Sequence, residues 1–203
     1  MTILDKRGIL DGLAAREIVI LELGCGDRKR DESWVGIDAL DRPGVDIVGD
    51  VYEILGVIGD ASVDEVHTFH FLEHLSGLPE LLAELGRVLK PAGVLEIVVP
   101  HFSNPYYYSD YTHRKFFGLY SLSYLAEDRV LRRRVPRYVD EVDFELTRVD
   151  LVFKSSPPFY GRHVIKKIVG FFFNLTRYTR ELYEENFCHL FPCYEIRYLL
   201  RRK

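Results

Sequence analysis

Histidines, carboxylates and hydroxyls cluster in two neighbouring stretches of this chain. One is His70-Phe71-Leu72-Glu73-His74, and the other runs from His101 to Arg114 and holds Asp110, Thr112 and His113. Histidine titrates near neutrality and is the usual group for removing a proton from a hydroxyl during catalysis. His101 leaves an apolar strand where a ligand-facing cleft is expected. His113 lies in a loop dense in aromatic residues, and His74 follows Leu72-Glu73. These three are the candidate bases, each weighed against a purely structural, hydrogen-bonded role. Glu73, His74 and Asp110 could also be gathered around a metal ion, but spacing alone does not make a ligand set, and no metal is assigned.

A second kind of chemistry sits near the N-terminus. Val19, Ile20, Leu21 and Leu23 form a near-continuous apolar run of the kind buried in a parallel sheet, and it ends in Glu22-Leu23-Gly24-Cys25-Gly26. Glycines after a strand allow a sharp turn and a close approach of ligand to backbone, which is the nucleotide-binding corner of an open α/β sheet. The third glycine of a dinucleotide fingerprint is missing, because Gly26 runs into Asp27-Arg28-Lys29-Arg30. No phosphate-binding loop of the G-x-x-x-x-G-K-[ST] type occurs anywhere.

The elements that must position these groups follow in order. Residues 1–16 read as a short helical or irregular lead-in, and strands are expected at Glu17–Leu23 and Trp34–Asp38. The gap between them is too short for a full crossover helix. Asp38 closes the second strand, where an acidic residue accepts hydrogen bonds from vicinal ribose hydroxyls, although it could instead serve the turn into Ala39. A third strand, Val45–Gly49, leads to Asp50, a preferred N-cap for a short helix Val51–Leu55. Val63–Phe69 is the fourth strand and Val94–Val99 the fifth. Between them Pro79–Leu89 has leucines at helical spacing, Pro79 in its first turn, and Pro91 and Gly93 to end it. Farther on, a helix is expected at Phe116–Ala126, an irregular charged connection at Glu127–Val142, and a strand at Phe144–Phe153. A helix follows at Val164–Glu185, read as packed against the sheet with a membrane-surface position as its alternative, and then a last strand at Tyr194–Leu200.

Taken together, Glu22-Leu23-Gly24-Cys25-Gly26, Gly36-Ile37-Asp38, Asp50 and Leu72-Glu73-His74 resemble the class I S-adenosylmethionine (SAM) dependent methyltransferases over about the first 115 residues. That resemblance implies a Rossmann-like, mostly parallel sheet of seven strands with an antiparallel last strand, here with a shortened first crossover, in a single domain over 1–203. It implies SAM as cofactor, held by Glu22, Gly24, Cys25, Gly26, Asp38, Ala39, Asp50, Val51 and His70, with Asp50 near the adenine amino group and Val51 against the ring. Loops after the fifth strand shape the acceptor pocket in such enzymes. Asn104, Tyr106, Tyr107, Asp110 and Arg114 are therefore the expected substrate contacts. Asp110-Tyr111-Thr112-His113 is similar to the family's Asp-Pro-Thr-His stretch with the proline replaced.

Composition sets the remaining bounds. Nearly half of the 203 residues are apolar, and three cysteines without paired spacing give neither a disulfide framework nor a zinc motif. No signal-peptide layout is visible, so a cytoplasmic location is expected. The net charge of −4 hides an asymmetry: residues 1–110 carry 9 Lys and Arg against 20 Asp and Glu, and residues 111–203 carry 18 against 11. The leading expectation is a methyltransferase for a small-molecule or carbohydrate-like acceptor, at a hydroxyl, in surface-polysaccharide or secondary-metabolite synthesis. The alternatives are a lipid or lipid-linked-sugar methyltransferase in peripheral contact with a membrane through the basic aromatic half, and a non-catalytic SAM-binding scaffold. Nucleic acid is not an expected partner.

Overall fold

The structure, a computed structural model, describes residues 2–139 and 142–203. In chain order the elements are β1 (Leu4–Asp5), α1 (Ile9–Gly12), β2 (Ile20–Leu23), β3 (Val35–Asp38), β4 (Ile47–Val48), α2 (Val51–Val57), β5 (Val63–Phe69) and α3 (Leu78–Val88). They continue with β6 (Leu89–Pro100), β7 (Glu127–Asp128), β8 (Phe144–Val152), α4 (Tyr160–Asn174), α5 (Arg177–Asn186) and β9 (Glu195–Arg202). The strands form one sheet in the order β1-β4-β3-β2-β5-β6-β9-β8-β7. β4, β3, β2, β5 and β6 run parallel, and β9 is antiparallel to both of its neighbours. The sheet thus holds the seven expected strands plus two two-residue edge strands, β1 and β7, which are too short to show a sequence pattern. Strand order reverses at β2, which lies between β3 and β5. This opens a crevice at the carboxyl ends of β2 and β5, where open α/β sheets bind ligands.

The central strands are apolar on both faces because helices and loops cover both. Leu21, Leu23, Ile37, Ile47, Val66, Leu95, Ile97 and Val99 are all buried, and α3 adds Leu81, Leu82, Leu85 and Val88 to the same core. The first crossover contains no helix, as expected. Lys29 holds it instead. Its side chain is buried, and its ammonium lies 2.7 Å from Asp46 Oδ2 and donates to the carbonyls of Glu32 at 3.2 Å and Trp34 at 2.8 Å. Asp46 Oδ2 also accepts from Gly36 N at 2.9 Å, so a single buried ion pair ties loop 24–34 to β3 and the start of β4.

Two expected helices change. Phe116–Ala126 is a series of turns, because side chains capture the backbone groups a helix would need. Ser121 Oγ accepts from Gly118 N at 2.9 Å and Glu184 Oε2 accepts from Leu119 N at 2.6 Å. The Val164–Glu185 helix is two helices, α4 and α5. Thr176 starts α5 with a capping box to Thr179, while Asn174 turns its amide to both backbone groups of Leu151. α4 also turns most of its apolar residues outward rather than against the sheet. Val164, Ile165, Ile168, Phe171, Phe172 and Leu175 are all exposed, and Gly170 alone is fully buried, against Phe153. Of the connection Glu127–Val142, Asp140 and Glu141 lie outside the described residues, as does Met1 of the lead-in. Among the described residues, no helix is long and apolar enough to cross a membrane.

Candidate functional site

The crevice begins at the glycine turn. Gly24 takes φ +70°, and a Cβ there would stand 2.5 Å from Phe71 Cδ2, so only glycine fits. Gly26 takes φ +60° with nothing within 4 Å of an added Cβ, so its backbone faces open space. The turn is organised by two carboxylates. Glu22, buried at the end of β2, accepts from Arg30 N at 2.7 Å. Burial pushes its carboxyl above the ordinary range, against the pull of that N–H and of the Arg30 charge. Asp38 accepts from Gly26 N at 3.0 Å through Oδ2 and from Leu40 N at 2.9 Å through Oδ1. Each Asp38 oxygen keeps a lone pair, and the group is only half buried, so it remains able to bind a diol.

Two clefts flank this turn. One is polar, about 430 Å³, lined by Glu22, Gly24, Cys25, Arg28, Arg30 and Phe69. The other is narrow and apolar, lined by Asp38, Ala39, Asp50, Val51, Phe71 and Leu75. The pair suits a ligand with a charged amino-acid end and a flat base at the other, as SAM has. Asp38 between them would hold the ribose, and Val51 and Phe71 would cover the base. Asp50 also caps α2, accepting from Tyr52 N at 2.9 Å and Glu53 N at 3.3 Å, so both roles read from its position are geometrically compatible. Cys25 is a buried thiol donating to Gly44 O. Burial first, then the nearby Asp38 and Glu22 carboxylates, push its pKa up to about 12. Arg28, Arg30 and Phe69 were not singled out from the sequence. Their signal was the basic run after the glycines, and Arg30 now stacks over Phe69 at 4.5 Å.

Beyond Phe71 the chain makes a single turn of 3₁₀ helix, Leu72–His74, and the aromatic loop folds back onto it. Glu73 O accepts from Arg114 N at 2.7 Å and Lys115 N at 3.3 Å. This brings His74, His113, Asp110 and Glu73 together. Glu73 is completely buried, and neither carboxylate oxygen has a hydrogen-bond partner. His113 Nε2 lies 3.9 Å from Glu73 Oε1 and 3.6 Å from Asp110 Oδ2. His70, at φ +53° at the end of β5, stands behind them. Its Nε2 is 3.1 Å from Glu195, and its Nδ1 is 3.5 Å from Glu73 Oε1, an ion-pair contact without a hydrogen bond to that carboxylate. Glu195 first and Glu73 second raise the His70 pKa to about 9, so it is protonated at neutral pH.

His101 does not join them. It is fully buried, its Nδ1 accepts from Ser103 N at 3.1 Å, and its Nε2 donates to Glu184 Oε2 at 3.1 Å. With neither nitrogen free, it ties the loop to α5, and the expectation that it is a base gives way. Asn104 and Tyr107 are also inward and structural. Asn104 caps the following turn and donates to Tyr194 O at 2.8 Å, and Tyr107 donates its hydroxyl to Lys115 O at 2.8 Å. Tyr106, Asp110 and Arg114 are exposed on the outer side of the loop, beside Tyr108 and Tyr111.

The crevice at the strand-order reversal, with its acidic-glycine turn and Asp38, defines a Rossmann-like nucleoside-binding protein. Residues 21–97 match the family model for a methyltransferase domain. The match spans about two fifths of the chain, and with the fold it supports a SAM-dependent methyltransferase domain that takes SAM as cofactor. No curated protein matches it. Solved structures share the fold at low identity. A SAM-dependent methyltransferase from Archaeoglobus fulgidus is 16% identical with a TM-score of 0.57, over 98% of this chain and 92% of that one. The 1,6-didemethyltoxoflavin-N1-methyltransferase of Burkholderia thailandensis is 16% identical with a TM-score of 0.52, over 97% and 77%. Phosphoethanolamine N-methyltransferase 2 of Haemonchus contortus, in complex with S-adenosyl-L-methionine, is 12% identical with a TM-score of 0.50, over 96% of this chain and 51% of that one.

Proposed function

We propose that this methyltransferase acts as a single domain on a hydroxyl of a small, carbohydrate-like acceptor bound at the Glu73–His74–His113 end of the crevice. SAM supplies an electrophilic methyl group on a sulfonium. The protein's part is to hold the acceptor oxygen in line and to lower the cost of removing its proton. Asp38, Glu22 and the glycine turn would fix the cofactor, with Ala39, Asp50 and Val51 on its nucleoside side and Cys25 and His70 beside it. The observation that carries the reading is the cluster itself: two imidazoles and two carboxylates at the mouth of the cofactor crevice, where an amine acceptor would need no such base once deprotonated. Tyr106, Tyr108 and Tyr111 expose flat faces at the rim, at 56%, 63% and 96% exposure, with Asp110 and Arg114 between them. Aromatic faces with interspersed charge suit a polyhydroxylated ring. The two solved neighbours with named acceptors act on nitrogen by their names, so the test compares the two acceptor classes. Release of S-adenosylhomocysteine is followed with matched panels of sugar or polyol hydroxyls and of primary amines. Turnover confined to hydroxyls, and lost in His113→Gln, supports the reading; turnover confined to amines contradicts it.

A specific observation favours a second reading, in which the acceptor is lipid-linked and the enzyme works from the cytoplasmic face of a membrane. The outward apolar residues of α4 lie beside the exposed Arg162 and Lys167, the composition of an interfacial helix. Sedimentation with anionic vesicles at low salt tests it. Binding that is lost in Ile168→Glu/Phe171→Glu supports this reading, and absence of binding by the unaltered protein removes it.

A further inference from the structure

We infer that Glu73, His74 and His113 form a binding site for a divalent transition-metal ion, with Zn²⁺ the best chemical match. One donor atom from each residue lies within 4.8 Å of the other two. Proximity alone would not carry this, because acidic and imidazole groups gather on many surfaces. Three further observations point to a cation.

The first is Glu73. Its side chain is fully buried, yet both carboxylate oxygens are without a hydrogen-bond donor. A fully buried carboxylate with no hydrogen-bond donor on either oxygen is costly and leaves lone pairs for a ligand to use. The nearest positive group, the His70 ring, stands off at 3.5 Å from Oε1 and is shared with Glu195 at 3.1 Å, so it offsets part of the charge and supplies neither oxygen with a hydrogen bond.

The second is the outer hydrogen bonding of the two imidazoles. His113 Nδ1 lies 2.9 Å from Tyr107 O, a pure acceptor, so Nδ1 donates there and the ring turns Nε2 toward Glu73. Thr112 Oγ1 lies 2.6 Å from Asp110 Oδ1 and 2.9 Å from His74 Nδ1. The hydroxyl's single proton goes to the carboxylate, so His74 Nδ1 donates to Thr112 and Nε2 is the nitrogen this bond leaves for a ligand. Such outer hydrogen bonds, which orient a ring and fix its tautomer, are characteristic of metal-ligating histidines.

The third is size. A tetrahedral zinc with nitrogen and oxygen ligands at about 2.0–2.2 Å has ligand atoms about 3.4 Å apart. His113 Nε2 and Glu73 Oε1 are 3.9 Å apart, so a closing movement of about half an ångström suffices for this pair. Two imidazoles and one carboxylate suit zinc and its first-row neighbours better than Mg²⁺ or Ca²⁺, which prefer all-oxygen shells. Three protein ligands also leave a position open, as in catalytic sites.

The inference rests on the reading of this cluster as the acceptor end only for what the ion does there. In that role the ion's charge, rather than a histidine lone pair, acidifies the acceptor hydroxyl. Binding itself is tested without any acceptor. Chelator-treated protein is titrated calorimetrically with Zn²⁺, and with Mg²⁺ for comparison, and S-adenosylhomocysteine binding verifies that each variant is folded. One Zn²⁺ per chain is expected, with Mg²⁺ at least about 100-fold weaker. Glu73→Gln and His113→Ala should each weaken Zn²⁺ by about 100-fold or more, and Thr112→Val, which touches no ligand atom, by about tenfold or more. His189→Ala, on the surface away from the cluster, should bind as the unaltered protein does. Substoichiometric Zn²⁺, or equal binding by folded Glu73→Gln, overturns the site. Hydroxyl methylation by a protein that binds no metal would overturn this inference and leave the acceptor reading standing.

Discussion

Replacing Lys29 by Met removes the one cation buried in the helix-less crossover. The Lys29 and Asp46 side chains are each only 3% exposed. The substitution preserves the aliphatic stem but leaves the Asp46 carboxylate in the core and frees the carbonyls of Glu32 and Trp34. Breaking a buried pair by removing one partner costs about 3–5 kcal/mol. Here Gly36 N still donates to Asp46 Oδ2 at 2.9 Å, and Arg7, largely exposed, stands 3.3 Å from Oδ1. Both soften the loss, which places the cost near the lower end, about 3 kcal/mol. For a chain of this length each kcal/mol lowers Tm by about 2–4 °C, so a fall of about 6–12 °C is expected by calorimetry or circular dichroism. Affinity for S-adenosylhomocysteine should fall as well, because Arg28 and Arg30 line the polar cleft from the same loop. Lys29→Met/Asp46→Leu removes both charges and should recover much of the lost stability. A Tm within about 2 °C of the unaltered protein, or a double variant in which the two losses simply add, would refute the latch.

Three further outcomes follow from the geometry. Asp38→Ala removes a carboxylate that anchors Gly26 and Leu40 and is placed for two charge-assisted bonds to a ribose; at about 1.5–3 kcal/mol each, S-adenosylhomocysteine affinity should drop at least 100-fold by isothermal titration. Cys25, with its pKa raised to about 12, has a thiolate fraction of about one in ten thousand at pH 8, so its alkylation by iodoacetamide, followed by mass spectrometry, should be far slower than that of a free thiol. Asp64 accepts from Val19 N at 2.8 Å and pairs with Lys90 at 2.8 Å. Burial opposes the charge, yet these partners hold its carboxyl below the ordinary 3.8. The unfolded chain therefore takes up the proton first as pH falls. The stability advantage over Asp64→Asn should be full above about pH 4 and fade below pH 3.8 in denaturant titrations.

Much of this fold was legible because local and tertiary forces agree. Val63–Phe69 runs at its expected boundaries, and Leu78–Val88 has a leucine stripe that packs as its spacing requires. Asp38 and Asp50 fall where strand ends and a cap demanded carboxylates. What stayed hidden depends on contacts far apart in sequence. Nothing near Phe116–Ala126 reveals that Glu184 will take the Leu119 N–H, and nothing near His101 reveals that the same carboxylate will take its Nε2 proton. Lys29 looked like one charge in a basic run until Asp46 met it. The Glu73–His74–His113 grouping was half visible: Glu73 and His74 were placed together with Asp110 from sequence, and His113 joins them because Tyr107 O holds its Nδ1 and turns Nε2 toward Glu73. The outward apolar face of α4 runs against packing expectations, because Gly170 is the residue that lets the helix lie close to Phe153.

The central claim is that the crevice at the carboxyl ends of β2 and β5 binds SAM. Isothermal titration of the purified protein with S-adenosylhomocysteine, with NAD as the comparison ligand, tests it most directly. The account predicts one tight site for S-adenosylhomocysteine, no heat with NAD, and loss of the site in Asp38→Ala. Binding of NAD, or of neither ligand, by folded protein would contradict it.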